Sequence, residues 1–72
     1  MSSYPSLTPK QIVKVLNKIG FDFFRQKGSH QIFVMGSKMI VVPMHNKTLK
    51  RKTQISIIKG TGLTQEEFYS YM

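Results

Sequence analysis

Arg25-Gln26-Lys27-Gly28-Ser29-His30 lies between two apolar segments, Phe21 to Arg25 before it and Ser29 to Met35 after it. Both flanks have strand composition, and glycine admits the positive φ that a tight hairpin needs, so Lys27-Gly28 reads as a turn and the run as the mouth of a β-hairpin. A rigid support then presents two cations, a hydroxyl and an imidazole. Period two places Ser29, Gln31, Phe33 and Met35 on one side of the second strand and His30, Ile32 and Val34 on the other. In the first strand, the same alternation sets Phe21 and Phe23 against Asp22 and Phe24. The plainer alternative for the hexapeptide is a solvated basic turn followed by a half-buried histidine.

Working outward, Gly36-Ser37 is the next turn and Lys38 to Val42 a third strand, with Met39 and Val41 opposing Ile40 and Val42. Pro43 ends it, having no donor for the ladder. Met44 to Lys52 reads as a loop carrying His45, Asn46, Lys47, Lys50, Arg51 and Lys52. Thr53 is the expected N-cap of a second helix whose core residues are Ile57 and Ile58, with Ile55 assisting. Gly62 is placed to end that helix, Leu63 to pack back on it, and Thr64-Gln65-Glu66-Glu67 to form a capping box for a short terminal turn closed by Phe68.

Upstream, Thr8-Pro9-Lys10-Gln11 is a strong helix start: a capping threonine, proline at the first helical position, and a glutamine able to reach back to the cap. Ile12, Val15, Leu16 and Ile19 follow at helical spacing, and Gly20 stops the helix with Phe21 packed behind it. Lys10, Lys14 and Lys18 form a solvated basic ridge. Ser2 to Ser6 is polar and turn-like, so residues 1–7 are expected to be a flexible terminus of a single domain spanning 1–72. The order is helix, three-stranded antiparallel meander, helix and helical turn, an α+β fold with helices against one sheet face. The expected core is Ile12, Val15, Leu16, Ile19, Phe21, Phe33, Ile57, Ile58, Leu63 and Phe68.

Composition narrows the chemistry. Seventy-two residues allow one modest core and a shallow site rather than a roofed one. With no cysteine there is no disulfide, zinc knuckle or thiol nucleophile. Apolar runs are far too short to span a membrane, and a cytoplasmic, non-membrane protein is expected. Eleven Lys and Arg against Asp22, Glu66 and Glu67 give a net charge of +8, which favours a polyanionic partner. Three carboxylates and two histidines make a poor metal cluster, so no metal or cofactor is expected. Ser29 and His30 are neighbours on one strand and diverge, which argues against a serine hydrolase.

Metal-independent RNA cleavage needs less. The nucleophile is the substrate's own 2′-OH, so the protein supplies a proton acceptor, cations for the crowded phosphate and alignment. Free imidazole titrates near pH 6.5, roughly the right range for proton transfer, which makes His30 a candidate. Arg25, Lys27 and the Gly28 and Ser29 amides could hold the phosphate, while Lys50, Arg51 and Lys52 position the strand. Composition alone favours a simpler alternative, a non-catalytic RNA-binding module.

Arg25-Gln26-Lys27-Gly28-Ser29-His30-Gln31-Ile32-Phe33, then Ile40-Val41-Val42-Pro43-Met44-His45-Asn46, then Thr53 through Gly62-Leu63 to Glu66-Glu67-Phe68, together resemble the HicA family of toxin mRNA interferases. The resemblance runs from about Gln11 to Phe68, and the ordered combination is specific where each piece is not. It implies a double-stranded-RNA-binding-domain-like fold, cleavage of single-stranded mRNA, and a HicB-type antitoxin partner that blocks the toxin. It also implies that the catalytic histidine is His30 and that the Pro43-Met44-His45 segment contains a possible secondary site at His45. Two stretches depart from the family's usual pattern: Lys52-Thr53-Gln54 stands where a Gly-Thr-Leu helix opening is usual, and Lys59-Gly60-Thr61-Gly62 where Lys-Gln-Ala-Gly is usual. Neither touches Gly28-Ser29-His30. The sequence leaves homo-oligomerisation undecided.

Overall fold

Six elements follow one another in a computed structural model that describes residues 4–72: α1 (Pro9–Ile19), β1 (Asp22–Lys27), β2 (His30–Met35), β3 (Lys38–Pro43), α2 (Arg51–Thr61) and α3 (Gln65–Tyr69). This is the expected α-β-β-β-α order with a terminal helical turn. The three strands pair antiparallel in the order β1-β2-β3, as two-residue connections require.

Local chemistry fixes α1. Thr8 accepts from the Gln11 amide at 3.3 Å while the Gln11 side chain accepts from the Thr8 amide at 2.9 Å, and Pro9 opens the helix. Gly20, at φ 125°, ends it, and Phe21 turns back to donate to the Leu16 carbonyl. Ile12, Val15 and Leu16 enter one core with Phe33, Ile40 and Val42 from the sheet and Ile57 and Ile58 from α2. Phe21, Phe68, Leu7 and Leu49 complete it. Both long helices therefore cover the face of the sheet that carries Phe33, Ile40 and Val42.

Two expectations need correction. Ile19 and Leu63 are half-buried at the edge of the core, whereas Leu7, Ile40, Val42 and Leu49 are fully inside it. The second helix begins at Arg51, with Lys50 in the N-cap position and no side-chain cap, three residues before the expected cap Thr53. Tertiary anchoring outweighs the better capping residue: the Leu49 amide donates to the Leu7 carbonyl at 2.8 Å, and starting the helix there buries Gln54 together with Ile57, Ile58 and Thr61. Within the segment expected to be flexible over residues 1–7, Tyr4 stacks on Tyr69 and Leu7 is buried, while Pro5 and Ser6 are exposed; residues 1–3 lie outside the described residues.

Gln54 is the centre of that packing. Its Oε1 accepts from the Leu7 amide at 2.7 Å, and its Nε2 donates to the Tyr69 hydroxyl at 2.6 Å and the Pro5 carbonyl at 3.2 Å. Tyr69 in turn donates to the Pro5 carbonyl and stacks on the Tyr4 ring at 4.7 Å. Burial holds the Tyr69 phenol above its ordinary pKa, while its bond to Gln54 and the Arg51 charge pull the other way. Among the described residues, every buried side-chain nitrogen or oxygen has a partner.

Gly60 sits inside α2, where alanine would ordinarily be favoured by about 1 kcal/mol. A Cβ there would come within 2.5 Å of Cδ1 of buried Ile40. Glycine is what lets α2 lie this close to β3.

Candidate functional site

The β1–β2 hairpin closes through Gly28-Ser29, with Lys27 and His30 paired across it; the turn lies one residue later than the sequence suggests. Gly28 has φ 60° and its missing Cβ would meet nothing, so the backbone conformation and not the available space calls for glycine. Gln26 donates to the Gly28 carbonyl at 2.9 Å, and Gln31 donates to Gln26 Oε1 at 3.3 Å, so two amides brace the turn.

His30 stands opposite Lys27 on one side and Pro43 on the other. Residues directly opposite in an antiparallel pair share a face. Since Phe33, Ile40 and Val42 face the helices, His30, Ile32 and Val34 face away from them with Met39, Val41 and Pro43. His30 is on the side of Ile32 and Val34, where the alternation of β2 places it, and it is exposed there.

The first strand behaves differently. Phe23 is opposite Phe33 but Arg25 is opposite Ile32, so Phe24 is an extra residue that forms a β-bulge. Unbroken alternation from Phe23 would have turned Arg25 and Lys27 toward the helices. The bulge instead brings both onto the free face, beside His30, while Asp22 sits at the far end of the strand opposite Val34. The Arg25 guanidinium lies over the Phe24 ring at 5.9 Å.

The exit from β3 is tied to the same turn. The Met44 amide donates to the Ser29 carbonyl at 2.7 Å, one step beyond the His30–Pro43 pair. His45 follows, exposed, its Nδ1 accepting from the Lys47 amide at 3.1 Å, so the neutral ring carries its proton on Nε2. Lys50, Arg51 and Lys52 are exposed on a separate element, the N-cap and first turn of α2. Cations there oppose the helix dipole. Arg51 lines a crevice with Tyr4, Ser6, Gln54, Ile55 and Gln65.

The fold thus gathers Arg25, Lys27, Gly28, Ser29 and His30 into one hairpin end, sets His45 on the adjoining loop, and leaves the α2 cations on their own element. Sequence reading overlooked the apolar surface beside His30: Met39 and Val41 are 61% and 45% exposed, and Ile32 and Val34 are only half-buried. Its signal was available, because β3 is apolar at four successive positions although helices cover just one face.

Residues 9–63 match the family described as "HicA toxin of bacterial toxin-antitoxin". The chain belongs to the HicA toxin family. It is accordingly a toxin of a bacterial toxin–antitoxin system, and the matched span begins with Pro9 of α1 and ends just past α2, enclosing the whole sheet. Among curated proteins none matches the chain. The free face around His30 combines an exposed imidazole, two cations and a braced turn. Among the described residues, no helix is long and apolar enough to cross a membrane.

Proposed function

We propose that this HicA-type toxin is a metal-independent endoribonuclease of single-stranded mRNA with His30 as its proton-transfer residue. The observation that carries the reading is the exposed His30 imidazole flanked by Lys27, Arg25 and the Gly28-Ser29 turn on the sheet face that no helix covers. His30 accepts the proton of a ribose 2′-OH, the 2′-oxygen attacks phosphorus, and the P–O5′ bond breaks as the 5′-oxygen takes a proton. The products are a 2′,3′-cyclic phosphate and a 5′-hydroxyl. Arg25 and Lys27 offset the charge that develops on the phosphoryl oxygens, and the Gly28 and Ser29 amides orient them. Lys50, Arg51 and Lys52 hold more distant phosphates. A HicB-type antitoxin neutralises the toxin by covering His30, and the exposed Met39 and Val41 beside it supply apolar area for that contact.

The test is His30→Ala. It retains the fold and most RNA affinity and loses cleavage by about 10²-fold or more, the scale of a positioned proton-transfer group. Wild-type protein cleaves in EDTA, and a deoxyribose at the cleavage position stops the reaction but not the binding. Full activity in a folded His30→Ala protein would overturn this mechanism. Wild-type protein that binds RNA and never cuts it would return the chain to non-catalytic RNA binding.

A further inference from the structure

A groove of about 470 Å³ opens between the start of α1 and the loop after β3, lined by Thr8, Lys10, Met44, His45 and Asn46. Its volume lies within the range of small-ligand sites. The loop that forms one wall is pinned at three points: Met44 to the Ser29 carbonyl, Lys47 to the His45 ring and Leu49 to the Leu7 carbonyl. A wall held this way loses little further freedom when it takes a ligand.

The lining is specific in kind. Met44 and the Thr8 methyl offer an apolar floor, and the His45 ring offers a flat face on which a base can stack. Asn46 carries both an amide donor and a carbonyl acceptor, the combination that matches a base edge. Lys10 supplies a cation for a phosphate, and no acid lines the groove. At most about 7 Å of chain separates His45 from Pro43, which stands across from His30.

We propose that this groove is a nucleotide-binding subsite that takes one residue of the RNA strand, next to the residue that reacts at His30. Its place beside the reacting residue rests on the ribonuclease reading; its affinity for a nucleotide does not. Single-stranded RNA is favoured over a protein occupant because the groove is concave and sized for one base with its phosphate. The open sheet face, broad and apolar, suits a protein better.

The experiment is an NMR titration of the full chain with 2′-O-methyl dinucleotides of adenine and of uracil, which lack the nucleophile and cannot be cut. The Asn46 side-chain amide and the Met44 methyl are expected to shift and saturate. Removing one base of the dinucleotide is expected to weaken binding about tenfold, Asn46→Ala to weaken the intact dinucleotide equally while leaving the abasic one unchanged, and Lys10→Ala to weaken both. Both substitutions are at exposed positions, and the amide spectrum reports whether the fold survives. Shifts confined to the β1–β2 turn would overturn the proposal. So would equal losses for intact and abasic ligands on Asn46→Ala, or a groove perturbed only by an acidic protein. A protein that shows the groove coupling yet never cleaves RNA would sink the ribonuclease reading and keep the subsite. Cleavage without any groove response would do the reverse.

Discussion

Replacing Gln54 by alanine removes three hydrogen bonds at once from a residue that is 7% exposed. The largest consequence falls on the Leu7 amide, whose acceptor disappears inside the protein; an orphaned buried amide costs about 1–3 kcal/mol. Loss of one buried methylene adds about 0.8 kcal/mol. Recovered side-chain entropy and the better helix propensity of alanine return about 2 kcal/mol together. The Tyr69 hydroxyl keeps its bond to Pro5 and contributes little to the loss. The net is a destabilisation of about 1 kcal/mol, against a total of about 4–11 kcal/mol for a chain of this length. Urea denaturation would show the midpoint fall with an unchanged slope, and Tm would drop by roughly 4–8 °C. Hydrogen exchange gives the residue-specific reading: the Leu7 amide should lose protection, and combining Gln54→Ala with Tyr69→Phe should cost less than the sum of the two. A loss under about 0.5 kcal/mol, with Leu7 still protected, would show that the tie between the N-terminal segment and α2 does not stabilise the fold.

Gly60→Ala is expected to destabilise by about 1 kcal/mol, because overpacking against Ile40 exceeds the gain in helix propensity; in an Ile40→Val background, which removes the offending methyl, the same substitution should be neutral or stabilising in thermal melts. The Tyr69 pKa is raised on folding above its ordinary 10.0, so the unfolded chain ionises first. Its contribution is complete below pH 10 and is lost as pH climbs through the folded value, so the stability advantage of wild type over Tyr69→Phe should narrow only above pH 10. Neutralising Lys50, Arg51 and Lys52 together should flatten the log–log salt dependence of RNA binding by roughly 2, at about 0.7 per single-strand phosphate contact; an unchanged slope would remove these cations from the RNA path.

The parts of this fold that could be read from sequence are those whose determinants are local. α1 carries both of its caps and a clean apolar stripe, and α3 announces itself through Thr64 and Glu67, whose reciprocal bonds form as the spacing requires. The hairpin that presents His30 was legible for the same reason, since a glycine between two apolar runs is enough. What escaped was set at a distance. Leu7 and Leu49 are single apolar residues in polar surroundings, and nothing nearby says that each would be buried against the other's segment. Gln54 looks like a surface residue until the N-terminal segment supplies its partners. Lys50 is a poor cap chosen by tertiary anchoring over Thr53. Within the candidate site, residue types pointed to the imidazole and its cations, but the side of the sheet on which Arg25 and Lys27 emerge depends on Phe24, and alternation alone points to the wrong side.

The extra residue at Phe24 makes the site sensitive to counting as much as to chemistry. Deleting Phe24 would heal the ladder and carry Arg25 and Lys27 through to the helix side, with every amino acid of the hairpin tip still in place. Two insertions would leave the cations where they are. Relatives of this toxin that differed by a single gap in the first strand would therefore be more dissimilar at the free face than relatives that differed by several substitutions there, and percentage identity across the hairpin is a poor guide to which of them would share its electrostatics.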